Sequence, residues 1–472
     1  MSTYFTEIPR QDLNGDCAKP ERFASLRLES QMRRPQIKSH LPGPKASELI
    51  RKDSDFVSPS YTRIYPLVVE SARGLWVKDV DGNEFLDFTA GIAVASTGHC
   101  HPRIVEAIRD QADKLIHMSG TDFYYSPQIL LAQKLAELSE MQGGAKIFFG
   151  NSGAEAVEAA FKLARYHTGR EHNIAFFGAF HGRTMGALSL TASRSIQKKN
   201  YRPLVPGITH IPYPYCYRCP FGLSHPGCGA ACVAWIEDPL FRTSIPAEEV
   251  AAIFVEPIQG EGGYVVPPME FHAELRKLAD KYGILLVADE VQSGMGRTGK
   301  MFALQHYKVE PDIIALAKGI ASGMPLGAMI ARSELMDWQA GSHASTFGGN
   351  PVSCRAALAT IELLEEGLVQ NAAVRGEQLL AGLGEMQKNF ECMGDVRGKG
   401  LMVGVELVKD RSTRERASGW RNAVIANAFE KGLLLLGCGE NTIRFCPALT
   451  VSSDEIEVCL SIFEEALRET AG

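Results

Sequence analysis

The sequence predicts an α/β protein: a large domain with a mostly parallel sheet flanked by helices, plus a smaller α+β domain. Three observations carry this expectation. Five short apolar runs each break off in polar or glycine-rich residues: KIFFGNSG (146–153), IAFFGAFHG (174–182), AAIFVEPIQGEGG (251–263), ILLVADEVQSG (284–294) and DIIALAKG (312–319). Amphipathic helical patterns, AEAVEAAFKLARYH and EFHAELRKLADKYG among them, separate several of these runs. Uninterrupted apolar strands alternating with helices mark a parallel sheet covered on both faces. From about residue 345 the pattern turns helical and then strand-like at GKGLMVGVELV and NTIRFCPAL, as a smaller α+β domain would.

Along the chain, residues 1–45 are polar, with a basic MRRPQIKSH stretch and Pro-Gly-Pro at 42–44, and read as an arm draped over the body or a partner subunit. Residues 46–100 form the first part of the small domain. Within them, Ile64–Phe88 alternates apolar and polar residues around Asp81-Gly82-Asn83, the signature of a hairpin. Ile104, Val105, Ile108, Ala112, Leu115 and Ile116 then recur at helical spacing. The large domain spans 101–344 and carries a Tyr-, Pro- and Gly-rich insert at 213–235, and the small domain resumes over 345–472.

Composition narrows the class of protein. The chain has 472 residues, 45% hydrophobic and 22% charged, with a formal net charge of −6, which is ordinary globular composition. Mild acidity argues against a nucleic-acid partner. No apolar run reaches the ~18 residues of a membrane span, so a soluble protein is expected. The N-terminus resembles neither a secretory signal nor a transit peptide. Eleven cysteines, mostly scattered, do not make a disulfide framework, which favours a reducing cytoplasm.

Ligands of parallel sheets collect beyond the carboxyl ends of the strands. The polar tails of the five runs therefore bring together Ser152, His181, Glu256, Asp289 and Lys318. Lys318 follows IIALA and precedes Gly319, so burial would depress its pKa and make it a nucleophile. A strand-end lysine that snorkels to solvent is the plainer alternative. Asp289 ends ILLVAD, where an acid is costly unless it meets a cation. The two could pair with each other. They could also bracket a cofactor, the acid on a pyridinium nitrogen and the lysine on an aldehyde carbon, as with pyridoxal phosphate. Ser152 with Glu155 matches a capping box, and a helix opened by Ser-Gly suits a phosphate held by backbone N–H groups.

Other patterns are weaker. Gly294-Met295-Gly296-Arg297-Thr298-Gly299-Lys300 matches two phosphate-binding motifs. Met301 replaces the magnesium-binding Ser or Thr of one, and DEVQS breaks the strand-to-helix turn of the other. Cys216, Cys219, Cys228 and Cys232 could hold a metal, although their spacing fits no standard ribbon and incidental thiols are the simpler reading. Arg183 and Arg444 suit a substrate carboxylate, or a structural partner in Glu256 or Glu261.

Taken together, DFTAGIAV, TGHCHP, GNSGAEAVEAAFKLAR, GAFHGRT, EPIQGEGG, ADEVQSGMGRTG, LAKGIASGMPLGA, STFGGNP and GKGLMVGVEL resemble the class III (ornithine/4-aminobutyrate-type) pyridoxal-phosphate aminotransferases of fold type I. The resemblance implies that Lys318 carries pyridoxal 5'-phosphate as a Schiff base and Asp289 binds its pyridine nitrogen. It implies that Ser152, Gly153 and Ala154 hold the phosphate, with Thr346 from a neighbouring subunit, that Phe180 stacks on the ring and that Gln292 lies near the phenolic oxygen. His181 and Glu256 fall in the same site. Ile92 and Arg183 would meet the substrate, and Arg444 with Glu261 would expose or mask an α-carboxylate site. The implied activity is transfer of an amino group from an ω-amino acid, 4-aminobutyrate foremost, to 2-oxoglutarate, by a homodimer with shared active sites or a tetramer. Amino-acid racemisation or epimerisation is the rival on the same scaffold, with an acetylornithine/ornithine-type aminotransferase beside it. A non-catalytic cofactor- or metal-binding protein is the third reading, and the Lys318–Asp289 pair counts against it.

Overall fold

The strands form where the apolar runs predict them, in a computed structural model that describes residues 33–471. Most of the expected N-terminal arm lies outside the described residues. In chain order the strands are β1 (Val69–Arg73), β2 (Trp76–Asp79), β3 (Glu84–Asp87), β4 (Ala145–Gly150), β5 (His172–Phe176), β6 (Ile208–Ile211), β7 (Val250–Val255) and β8 (Leu285–Asp289). They continue as β9 (Ile313–Leu316), β10 (Gly327–Arg332), β11 (Met393–Lys399), β12 (Met402–Leu407), β13 (Leu433–Leu434), β14 (Leu436–Cys438) and β15 (Thr442–Phe445).

The central sheet has seven strands in the order β4-β10-β9-β8-β7-β5-β6. Only β10 runs antiparallel to its neighbours, so the five strands of the apolar runs all point the same way. Their polar tails therefore leave the sheet at one edge. Two strands escape the apolar signal. β6 is an edge strand paired on one side, so ITHI needs no continuous apolar run, and the GAMIAR of β10 is antiparallel to both strands beside it. The Gly153–Thr168 helix covers the sheet with Ala156, Ala160 and Ala164, whose small side chains share a core with Phe254, Val287 and Ala315.

The hairpin expected around residues 81–83 joins β2 to β3. Asp79 Oδ1 accepts from the N–H groups of Asp81 and Asn83 at 3.0 and 2.8 Å, and Gly82 supplies a φ of 92°. Strand β13, from the C-terminal segment, pairs in parallel with β3, so both ends of the chain build one four-stranded sheet. The remaining sheet, β11-β12-β15-β14, is antiparallel.

A helix begins where the range read as an arm ends: it spans Pro44–Phe56, proline being favoured in a first helical turn, and Asp81 takes the N–H groups of Lys45 and Ala46 at 3.0 and 2.9 Å. The helix Pro102–Lys114 stops before Leu115, whose backbone is extended. No helix among the described residues is long and apolar enough to cross a membrane.

Candidate active site

At the carboxyl ends of β4, β5, β7, β8 and β9 lies a cavity of about 370 Å³. Ser152, Phe180, His181, Glu256, Asp289 and Lys318 line it, together with Gly153, Ala154, Arg183 and Gln292. The five polar strand ends expected from the sequence thus share one space.

Asp289 closes β8 and is 4% exposed. Its Oδ2 lies 2.7 Å from His181 Nδ1, and its Oδ1 accepts from the Val291 N–H at 3.0 Å. Burial opposes a charge on His181, yet the hydrogen bond and charge of Asp289 outweigh it and hold the imidazole above its ordinary pKa. His181 is fixed in turn by its own N–H, which donates to Thr191 Oγ1 at 2.9 Å. A buried carboxylate pinned on two sides is prepared for a cationic N–H arriving from the cavity.

Glu256 accepts from the N–H groups of Phe180 and Gly260 at 3.2 and 3.1 Å. Burial pushes its carboxyl up to about 7; Asp289 adds to the rise, whereas His181 and the two N–H groups oppose it. The folded protein therefore binds a proton that the unfolded chain, near 4.5, releases. Stability from that proton is complete below the unfolded value and is lost as pH rises through about 7. Glu256→Gln is expected to remove this component, shrinking the fall in thermal midpoint between pH 5.5 and 8 by roughly 2 °C. Thermal scans of the cofactor-free protein across that range are the check, and an unchanged slope would contradict it.

Lys318 follows β9 with a φ of 46°, and burial lowers its pKa against the opposing charges of Glu261 and Asp289. A Cβ on Gly319 would come within 2.5 Å of Ser96 Oγ, so a larger residue behind the lysine would require that hydroxyl to turn away. Opposite, Ser152 caps the Gly153–Thr168 helix by accepting from the Glu155 N–H at 3.3 Å. The expected capping box is altered: the Glu155 carboxylate takes the Asn151 N–H at 2.6 Å rather than that of Ser152. The N–H groups of Ser152, Gly153 and Ala154 consequently have no partner among the described residues. A Cβ on Gly153 would meet Val291 Cγ1 at 2.8 Å. Open N–H donors at a helix start, a buried carboxylate and a half-buried lysine of lowered pKa fit pyridoxal phosphate at its three polar points.

Not all of the remaining predicted residues line this cavity: Glu261 and Arg444 do not. Phe180 is half-buried, and the Arg183 guanidinium sits 5.6 Å from its ring centroid, exposed and without a carboxylate partner among the described residues. Gln292 Oε1 accepts from the Tyr264 hydroxyl at 2.8 Å. Tyr264 is fully buried and lies outside the expected set, since a tyrosine following EPIQGEGG carries no recognisable signal. Thr346 and Ile92 are exposed and do not line the cavity. Arg444, on β15, bonds Glu261 with Nη1–Oε1 at 2.5 Å, the two side chains being 5% and 19% exposed. The arginine's charge and hydrogen bond hold Glu261 below its usual value although burial pulls the other way.

Cys216, Cys219, Cys228 and Cys232 line a small cavity of about 30 Å³ beneath the insert. Burial, then neighbouring thiols, pushes Cys216 up, and burial carries Cys232 to about 11. No group of three or more His, Cys, Asp or Glu among the described residues could hold a metal ion, and the cysteines described are free. Tyr215 and Arg218 tie the insert to Glu406 on β12. The glycine-rich 294–300 stretch is followed by no helix of the kind a phosphate loop needs, and Arg297 within it is buried, donating to the carbonyls of Leu401 and Pro447.

Over most of its length the chain is similar to known proteins. A family model described as aminotransferase class-III matches residues 56–467. The alanine/serine racemase of Pyrococcus horikoshii is 42% identical over 447 residues, covering 93% of this chain and 94% of that protein. The acetylornithine aminotransferase of Methanopyrus kandleri is 42% identical over 425 residues, covering 90% and 99%. A crystal structure of a Bacillus anthracis aminotransferase superposes with a TM-score of 0.84 at 32% identity, covering 90% of this chain and 99% of that one.

Proposed function

The chain belongs to the pyridoxal-phosphate-dependent class-III aminotransferase family, and from that premise we propose that it transfers an amino group from an ω-amino acid, 4-aminobutyrate foremost, to 2-oxoglutarate. The observation that carries this reading is the Arg444–Glu261 pair at 2.5 Å. A two-substrate transaminase must accept a donor without an α-carboxylate and an acceptor with one in the same place. A buried arginine that can exchange an internal carboxylate for a substrate carboxylate meets that need.

Pyridoxal phosphate supplies a sink for the electron pair released when the substrate C–H bond breaks. In this proposal the residues do the rest. The N–H groups of Ser152, Gly153 and Ala154 hold the phosphate, with Thr346 of a second copy completing it in a homodimer. Asp289, oriented by His181, keeps the pyridine nitrogen protonated. Phe180 covers the ring, and Gln292, held by Tyr264, faces its phenolic oxygen. Lys318 anchors the cofactor and then, as a free amine of lowered pKa, moves the substrate proton. Arg183 and Ile92 meet the far end of the substrate. Scattered free cysteines support a cytoplasmic location.

A second reading, racemisation of an α-amino acid, is favoured by the 42% identity to the alanine/serine racemase. It needs the same proton removal but returns the proton to the substrate carbon. One experiment separates the two. The loaded protein is incubated with 4-aminobutyrate, N-acetylornithine, alanine and leucine, with and without 2-oxoglutarate, while glutamate formation and optical purity are followed. Fastest glutamate formation from 4-aminobutyrate supports the proposal. Racemisation outrunning every transamination replaces it with the second reading, and fastest transfer from N-acetylornithine replaces the donor.

A further inference from the structure

The segment Asp87–Val94 leaves β3 in an unusual conformation. Ala90, Gly91, Ile92 and Ala93 have φ values of 45°, 61°, 67° and 58°, a full turn of left-handed helix in which three residues carry a Cβ. In that conformation each Cβ crowds the following carbonyl, so such a turn persists only when its surroundings impose it.

Asp87 supplies much of that imposition. It is 3% exposed, and its Oδ1 accepts from the Thr89 N–H, the Thr89 hydroxyl and the Ala90 N–H at 2.7, 2.6 and 3.2 Å. Its Oδ2 lies 2.8 Å from His99 Nε2, and His99 is itself tied to Gly74 through both backbone groups, at 2.9 and 2.8 Å. Thr89 passes the restraint on, its hydroxyl accepting from the Gly91 N–H at 3.2 Å and its carbonyl from the Ala93 N–H at 2.9 Å.

The turn abuts the active-site cavity. Val94, immediately after it, lines the space around Lys318. A Cβ on Gly319 would touch Ser96 Oγ at 2.5 Å and the Ala93 carbonyl at 3.7 Å, so the turn and the residues after it back the chain that carries the lysine. We propose that Asp87 is a positioning residue: its carboxylate locks the strained Ala90–Ala93 turn and so sets the wall of the cavity and the seat of Lys318. The proposal rests on reading that cavity as the active site.

The test uses strain relief. In the loaded protein, Asp87→Ala is expected to slow the half-reaction with the best donor roughly tenfold to a hundredfold, the range a displaced site wall costs, while the bound-cofactor absorbance persists. Its thermal midpoint falls. Adding Ala90→Gly and Ala93→Gly, which take left-handed φ without the clash, restores both most of the rate and the midpoint. An ordinary stabilising contact would not be replaced by glycines at two other positions. Wild-type rate in Asp87→Ala, or no recovery on adding the glycines, overturns the proposal. Should Asp87→Ala not fold, Thr89→Val removes the next link: loss of rate and its recovery with the two glycines support the proposal, and failure of either overturns it. The thermal rescue stands apart from turnover. If no donor reacts in the unaltered protein, the functional reading fails while the midpoints still judge the clamp.

Discussion

Lys318→Ala is expected to abolish turnover, lowering it by at least about a thousandfold, because one substitution removes both the covalent anchor and the proton-transferring amine. The physical basis is the lysine's setting. It follows a fully buried strand, burial depresses its pKa, and Asp289 and Glu261 are near enough to offset part of that shift. An amine so placed reaches its neutral, nucleophilic form more readily than a surface lysine. The loaded variant should also lose the absorbance band of lysine-bound cofactor while keeping its fold. Borohydride reduction of the unaltered protein followed by peptide mapping identifies the anchor directly. Labelling of a different lysine would refute the assignment.

The second large effect concerns Arg444. Arg444→Ala should slow the 2-oxoglutarate half-reaction by tenfold to a hundredfold, from a charge-assisted pair worth roughly 1.5–3 kcal/mol and about 1.4 kcal/mol for each tenfold. The 4-aminobutyrate half-reaction should suffer much less, because that donor brings no α-carboxylate. In that half the arginine is already neutralised by Glu261, and an unpaired guanidinium 5% exposed would be costly. Single-turnover spectroscopy of each half separates the outcomes. Equal losses in both would sink the exchange of carboxylates.

These expectations differ in how visible they are in the chain itself. Lys318 and Asp289 each end an uninterrupted apolar run, so the sequence places them at strand ends, and a parallel sheet sends such ends to one edge. Ser152 is legible for a similar reason, lying between a strand and a strongly patterned helix. Arg444 and Glu261 are 183 residues apart, and only the family resemblance pairs them, since by charge alone Glu256 is as good a partner for Arg444. Tyr264, which holds Gln292, and Thr191, which holds His181, have no local signature at all.

What the sequence determined by itself is what repeats along the chain. Buried strands, amphipathic helices and the polar punctuation between them are local consequences of which side chains avoid water, and they bring the large sheet and the convergence of its polar tails with them. What only the tertiary structure decided is what depends on groups meeting across long loops. The antiparallel insertion of β10 beside β4 and the joining of β13 to β3 are of this kind. So is the left-handed turn after Asp87: three of its four residues would avoid that conformation in isolation, and it exists because a buried carboxylate, a histidine from a later loop and the packed backbone behind Lys318 leave it no other.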